Sequence, residues 1–321
     1  MNLNLAAARK PKALHTGARF SVFAPSSPAG PAETAAGIVE LERLGFVAAP
    51  QCGEPQLAPS DGYFAASAEH RLQEFLNALR DPKSEALIAV RGGYGSNYLL
   101  GPNVMGKFPQ EGPPKCLIGF SDLTTLQIFL WQTLHWVTFY GPMVATGFMQ
   151  GANSVKGYEL NSFLRAIGDT ASGWSIRLHA ESLFAGEAEG VALGGCLTLL
   201  QATIGTPWDL ETRDSILVLE DTGMKPYQVD RALMHLLQAG KFEGVRGIVL
   251  GEFPGGTPLV SGSPTIREVC NRILGPLKIP IVFGAPVGHT ERPMLTVPLG
   301  IRAKLRATGE GTLEFLEPAV F

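Results

Sequence analysis

Through Tyr140, short apolar runs alternate with amphipathic stretches, and that alternation predicts strands and helices in turn. Phe20-Ser21-Val22-Phe23-Ala24 reads as a strand closed by Pro25-Ser26-Ser27-Pro28. A helix follows over Glu33 to Leu44, with Ile38, Leu41 and Leu44 near one face and Gly45 as its stop. Phe46-Val47-Ala48-Ala49 is a second strand. Leu72, Phe75, Leu76 and Leu79 recur at i, i+3, i+4, i+7, marking an amphipathic helix that Asp81-Pro82 ends. Ala86-Leu87-Ile88-Ala89-Val90 is apolar without interruption, as a strand buried on both faces of a parallel sheet must be. Cys116-Leu117-Ile118 is another such strand, and Asp122 to Leu130 starts a helix directly after it. This order predicts a doubly wound α/β layer, whose ligands sit beyond the carboxyl ends of the strands.

From Met149 to about Glu187 the pattern weakens. Leu160, Phe163, Leu164 and Ile167 suggest one helix, followed by a polar, glycine-containing stretch. Beyond it, Gly194-Gly195-Cys196 leads a short helix, and Ser215-Ile216-Leu217-Val218-Leu219 is a strand ending in Glu220-Asp221. Pro226 suits the first turn of a helix through Leu233, Leu236 and Leu237. Residues 247–251 and 280–284 read as strands, and 295–300 and 312–316 complete a β-rich end with hairpin signals. The expected organisation is an N-terminal α/β domain over 1–150, a linker over 151–186 and a β-rich C-terminal domain over 187–321.

With 45% hydrophobic and 17% charged residues, the chain can bury a sizeable core, which excludes global disorder. A net charge of -3, with no run of Lys or Arg, leaves no electrostatic footprint for nucleic acid or for a membrane surface. Arg9, Lys10, Lys12 and Arg19 are joined to no apolar segment of the secretory type, and no stretch approaches the length of a membrane span. Cys52, Cys116, Cys196 and Cys270 are scattered without a Cys-x-x-Cys, as buried free thiols of a cytoplasmic enzyme would be.

Two unusual strand ends fall on the same sheet edge. Gly119-Phe120-Ser121-Asp122 lifts a hydroxyl out of the sheet at a strand-to-helix turn, although the second glycine of a nucleophile elbow is missing. Locally, Ser121 is either a nucleophile or a helix cap, and the cap is the commoner role. Arg91-Gly92-Gly93-Tyr94-Gly95 fails the phosphate-loop tests, since Tyr98 stands where a dinucleotide fingerprint wants glycine and no Gly-Lys-Ser/Thr occurs. Gly92 and Gly93 either offer N–H groups to an oxyanion near Ser121 or simply make a tight turn. Arg91 is either a carboxylate receptor or a structural ion-pair partner. Among six histidines, only His289 follows a glycine in a strand-end loop, a place from which an imidazole reaches a cleft. Glu220, at a strand terminus, is either an acid that orients a histidine or a solvated turn residue. The histidines and cysteines show no metal-ligand spacing, so no metal is expected.

Taken together, these pieces resemble the LD-carboxypeptidase family of serine peptidases, which includes microcin-immunity type hydrolases. The matching stretches are 91–95, 119–122, Tyr140-Gly141-Pro142-Met143, Gly194-Gly195-Cys196-Leu197, Leu219-Glu220-Asp221, 226–231, and Gly288-His289 followed by Val297-Pro298-Leu299-Gly300. They run from about Phe20 to Gly300. The resemblance implies an α/β fold: an N-terminal doubly wound parallel sheet, class I glutamine-amidotransferase-like, carrying the nucleophile, and a β-rich C-terminal domain carrying the acid and the base. It implies Ser121 as nucleophile, Glu220 as acid, His289 as base, backbone N–H groups of Gly93 and Asp122 as oxyanion donors, and Arg91 and Gly92 at the substrate. Cys196 replaces a common asparagine and Met224 a frequent glutamate, neither of them a triad member.

The activity implied is hydrolysis of the L,D-peptide bond to the terminal D-alanine of murein tetrapeptides in cell-wall recycling. It needs no cofactor, and the resemblance also implies a homodimer. Two alternatives stand beside it: an immunity-type hydrolase of peptidyl- or aminoacyl-nucleotide amides, and a non-catalytic binder of murein fragments.

Overall fold

The computed structural model describes residues 7–50, 62–101, 104–109, 111–171 and 173–321. Cys52 lies outside them. The first layer runs β1 (Arg19–Phe23), α1 (Pro31–Arg43), β2 (Val47–Pro50), α2 (Ala68–Arg80), β3 (Ala86–Ala89), β4 (Cys116–Gly119), α3 (Thr124–Leu134) and β5 (Thr138–Tyr140). Apart from β5, for which no separate stretch is predicted, each lies within a few residues of the stretch its pattern predicts. β3 and β4 are buried at every position, which is why their sequences carry no polar alternation. The five strands are parallel neighbours in the order β2-β1-β3-β4-β5. The chain steps one way from β1 to β2 and the other way from β3 onward, so the ends of β1 and β3 flank the switch point where such sheets bind ligands.

The remaining elements are α4 (Leu160–Gly168), β6 (Trp174–Arg177), β7 (Glu181–Phe184), β8 (Gly186–Cys196), α5 (Leu197–Thr203), β9 (Ser215–Glu220), α6 (Pro226–Gln238), β10 (Gly247–Gly251), α7 (Ile266–Leu274), β11 (Ile281–Ala285), β12 (Val297–Leu299), β13 (Arg302–Ala307) and β14 (Thr312–Phe315). Eight of these strands form a second sheet in the order β6-β14-β13-β8-β9-β10-β11-β7. Its centre, β8 to β11, is parallel and in chain order, with α5, α6 and α7 as crossovers. Antiparallel strands flank it on both sides.

Three features differ from the pattern-based expectation. The segment 151–186 contains the expected helix, as α4, but its polar stretch also contributes both edge strands of the second sheet, β6 and β7. These strands are four residues long, and β6 buries only alternate positions, Trp174 and Ile176, so apolar content alone does not mark them. β8 starts with Glu187 and Glu189, whose carboxylates pair with Lys304 at 2.7 Å and Arg302 at 3.1 Å on the neighbouring strand; those charges mask its first half. Finally, β12 leaves the second sheet and pairs antiparallel with β5 of the first, Val297 opposite Tyr140. Pro298 fits there because β12 is an edge strand with one neighbour.

The two sheets are held together by α3. Every residue from Thr124 to Trp131, and Leu134, is buried. Leu126, Phe129, Leu130 and Leu134 pack into the first core, whereas Ile128 and Trp131 join the second with Leu193, Leu197 and Leu217. A helix buried on all sides over Thr124 to Trp131 has no solvent face there, and it serves two cores at once. Ile128→Ala should therefore loosen the seam, costing about 2–5 kcal/mol in urea denaturation. Unchanged stability would show that the seam does not rely on this side chain.

Candidate active site

Ser121 follows β4 across Phe120 and adopts φ of 62°, a left-handed conformation that costs energy for any residue with a Cβ. The turn is held from beneath by Asp122. Its carboxylate, 1% exposed, accepts hydrogen bonds from Ser26 Oγ at 2.5 Å and Ser96 N–H at 2.7 Å. Ser96 Oγ donates to the Asp122 carbonyl at 2.5 Å. These bonds gather the ends of β1, β3 and β4 around the serine. Burial pushes the Asp122 carboxyl above its ordinary range against the pull of the Ser26 and Ser96 hydrogen bonds, and the side chain is a structural strut of the turn.

The glycine loop lies against the hydroxyl. A Cβ on Gly92 would stand 2.8 Å from Ser121 Cβ, 2.9 Å from its Oγ and 3.4 Å from the Asp122 nitrogen, so only glycine fits. Among the described residues, the N–H groups of Gly92 and Gly93 have no hydrogen-bond acceptor. Tyr94 N–H donates to Ser27 Oγ at 3.1 Å and fixes the loop beyond them. Arg91 is half-buried and donates only to the Pro28 carbonyl, at 3.3 Å; it enters no ion pair among the described residues.

Glu220 and His289 come from the second sheet. Glu220 ends β9, a strand buried throughout, and is itself fully buried. His289 sits in the loop between β11 and β12, which passes from one sheet to the other. Glu220 Oε2 accepts His289 N–H at 2.9 Å and lies 2.8 Å from His289 Nδ1. Tyr140 Oη donates to Glu220 Oε1 and accepts Ser121 N–H at 3.4 Å. The imidazole packs edge-on against Phe120, ring centroids 5.0 Å apart, which sets it beside the residue preceding Ser121. Gly288 lies against the Glu220 carboxyl: a Cβ there would meet Cδ at 2.4 Å.

Burial disfavours the His289 imidazolium, but the Glu220 charge, its hydrogen bond and Asp221 outweigh this and raise the group above its ordinary value. Asp221 has another occupation. Its Oδ2 accepts Thr198 N–H at 2.9 Å, Thr198 Oγ at 2.6 Å and the Cys196 thiol at 3.5 Å, anchoring the start of α5. Met224 Sδ lies 3.6 Å from Thr198 Oγ, so both departures, Cys196 and Met224, border this anchor.

Contacts thus bring Glu220 and His289 to Tyr140, Phe120 and the Ser121 turn, with Gly92 against the hydroxyl, while Gly93 faces Ser27 and Arg91 reaches the Pro28 carbonyl. Pattern reading gave Tyr140 no role, because a tyrosine ending Thr138-Phe139-Tyr140 looks like core. A cavity of about 710 Å³ elsewhere on the seam, over Trp131, contains none of these residues. Its charges satisfy one another, as Lys10–Glu317, Arg246–Asp214 and Arg302–Glu189 pairs. Among the described residues no cluster of His, Cys, Asp or Glu is arranged to hold a metal, and no helix is long and apolar enough to cross a membrane.

The LD-carboxypeptidase N-terminal domain matches residues 21–141, and the C-terminal domain of the same family matches residues 189–305. The chain belongs to the LD-carboxypeptidase family. It is a serine-type carboxypeptidase, a hydrolase. A probable murein peptide carboxypeptidase of Bacillus subtilis (strain 168) is 31% identical over 305 residues, covering 94% of this chain and 93% of that protein. The crystal structure of muramoyltetrapeptide carboxypeptidase from Oxalobacter formigenes superposes with a TM-score of 0.79 at 28% identity, covering 94% and 99% of the two chains. The microcin C7 self immunity protein MccF shares the fold at a TM-score of 0.86 and 23% identity, covering 97% and 99%.

In this carboxypeptidase, Gly288→Ala should force the Glu220 carboxyl away from His289, because the added methyl overlaps it and the left-handed φ of 63° is strained for alanine. Turnover should fall about a hundredfold with a modest loss of stability; wild-type turnover would show that the Glu220–His289 contact is dispensable.

Proposed function

We propose that Ser121, Glu220 and His289 act as nucleophile, acid and base, and that the enzyme hydrolyses the L,D-peptide bond to the terminal D-alanine of murein tetrapeptides. The observation that carries this is the bond from Glu220 Oε2 to His289 Nδ1 at 2.8 Å, formed behind Phe120 and the strained Ser121 turn. With Nδ1 donating to Glu220, Nε2 presents its lone pair. His289 takes the Ser121 proton as Oγ attacks the scissile carbonyl, and Glu220 stabilises the imidazolium. N–H groups of Gly93 and Asp122 receive the developing oxyanion, an assignment favoured by the approach of the Gly92 backbone to Oγ. The imidazolium returns its proton to the departing D-alanine amine, and water, with His289 as base, clears the acyl-enzyme.

Arg91, which enters no ion pair among the described residues, is assigned to the terminal carboxylate. The substrate assignment draws on the relatives, whose names specify murein peptide and muramoyltetrapeptide. Likeness to MccF is one of fold, so an aminoacyl-nucleotide amide serves as the competing substrate.

Mass spectrometry of a murein tetrapeptide incubated with the enzyme should show loss of D-alanine, and none with Ser121→Ala or His289→Ala, both folded as wild type. Full turnover in either variant would remove the triad. Preferential cleavage of the nucleotide amide would move the substrate assignment to the immunity type. Arg91→Gln should raise KM about tenfold and leave kcat nearly unchanged.

The pH profile offers a further check. His289 must be neutral to accept the proton, and its raised pKa places the acidic limb of kcat/KM above the ordinary histidine value of 6.5. A limb below that value would argue against the Glu220–His289 ion pair.

A further inference from the structure

We infer that Tyr140 is a positioning residue of the hydrolytic centre: its hydroxyl holds Glu220 so that one carboxylate oxygen faces His289, and it ties that carboxylate to the backbone of Ser121. The inference rests on the triad reading above and extends it across the seam.

Tyr140 ends β5 and is fully buried. Its Oη gives its proton to Glu220 Oε1 and takes the Ser121 N–H at 3.4 Å, so one atom touches both a residue of the second sheet and one of the first. A buried carboxylate left with one unpartnered oxygen is costly, and its plane is free to turn until that oxygen finds a donor. Gly288 packs against Cδ of Glu220, and Gly251 approaches its Cβ, where an added Cβ would stand at 2.5 Å. These contacts limit translation of the side chain and leave rotation of the carboxylate to be set by its hydrogen bonds. Two of those go to Oε2 from His289, and the phenol supplies the one on Oε1.

The surroundings fit this division. Cys196, at the end of β8, and Asp221, after β9, are the acidic groups facing the cluster. Burial first, and then Glu220 and Asp221, push the Cys196 thiol well up, so it stays neutral. The carboxylate of Asp221 is engaged by Thr198 and Cys196. Thr124 of α3 contacts the phenol and accepts Cys196 N–H at 3.1 Å. Burial and the Glu220 charge raise the phenol well above its ordinary value, so it remains a donor at any working pH.

Tyr140→Phe keeps the ring, and with it the edge contact to Phe120 at 6.2 Å, and removes only the hydroxyl. Turnover of the tetrapeptide should fall about tenfold to a hundredfold, with KM within about twofold. The acidic limb of kcat/KM should move to higher pH, because a carboxylate that loses a donor binds the imidazolium more strongly. A merely structural role would reduce activity without moving the limb, and that result overturns the inference, as does kcat within about twofold of wild type.

A second measurement is independent of turnover. The NMR titration of the His289 imidazole is compared in Ser121→Ala and Ser121→Ala/Tyr140→Phe. An upward shift in the double variant supports the inference, and superimposable titrations overturn it, whether or not the protein cleaves the tetrapeptide. Hydrolysis that survives Ser121→Ala would instead defeat the triad reading, so the two failures are distinct. Should the phenylalanine variant fail to fold, 3-fluorotyrosine at position 140, a stronger donor of nearly the same shape, must shift the titration downward; no shift or an upward one overturns the inference.

Discussion

A fully buried carboxylate in a seam between two sheets is the constraint on which the rest of this molecule depends. Both oxygens of Glu220 are hydrogen-bonded, as burial of a carboxylate requires, and the partners come from different segments. His289 approaches on the loop between β11 and β12, while Tyr140 approaches from β5 of the opposite sheet. The neighbouring glycines clear the space that the carboxyl occupies. The placement of these partners therefore ties the two sheets together at Glu220.

The second constraint is the left-handed backbone at Ser121. It holds the hydroxyl above the sheet, and the Asp122 network opposes its relaxation through Ser26 and Ser96. Those two serines follow β1 and β3, the strands at the switch point, so the topology of the first sheet and the strain at Ser121 are one arrangement. Because α3 begins immediately beyond this turn and is buried on every side, the position of Ser121 relative to Glu220 is transmitted through the same helix that joins the two cores.

The first sheet was legible in the amino-acid pattern because its inner strands β3 and β4 are buried on both faces and write themselves as unbroken apolar runs, as at Ala86–Val90. The flanks of the second sheet were not. Glu187 and Glu189 are neutralised by partners on β13 far along the chain, and Trp174 and Ile176 face inward on a strand too short to show a period. Long-range pairing also hid the return of β12 to the first sheet, since nothing local to Val297-Pro298-Leu299 names Tyr140 as its neighbour. Ser121 and the glycine loop stood out as strand ends. His289 was marked by Gly288, whose physical reason, the carboxyl packed against it, is visible only in three dimensions. Glu220 needed the family resemblance to be preferred over Asp221, and the phenol of Tyr140 was masked by its apolar surroundings.

The crossing of β12 has a consequence for how this architecture can change. Val297–Leu299 completes the first sheet although the chain on either side of it belongs to the second. Severing the polypeptide anywhere near residue 150 would thus leave the front half with an unpaired edge at β5 and the rear half with an orphan strand. The two portions are stitched rather than tethered, and recombination that swaps one against an unrelated counterpart would have to carry this return strand along with it.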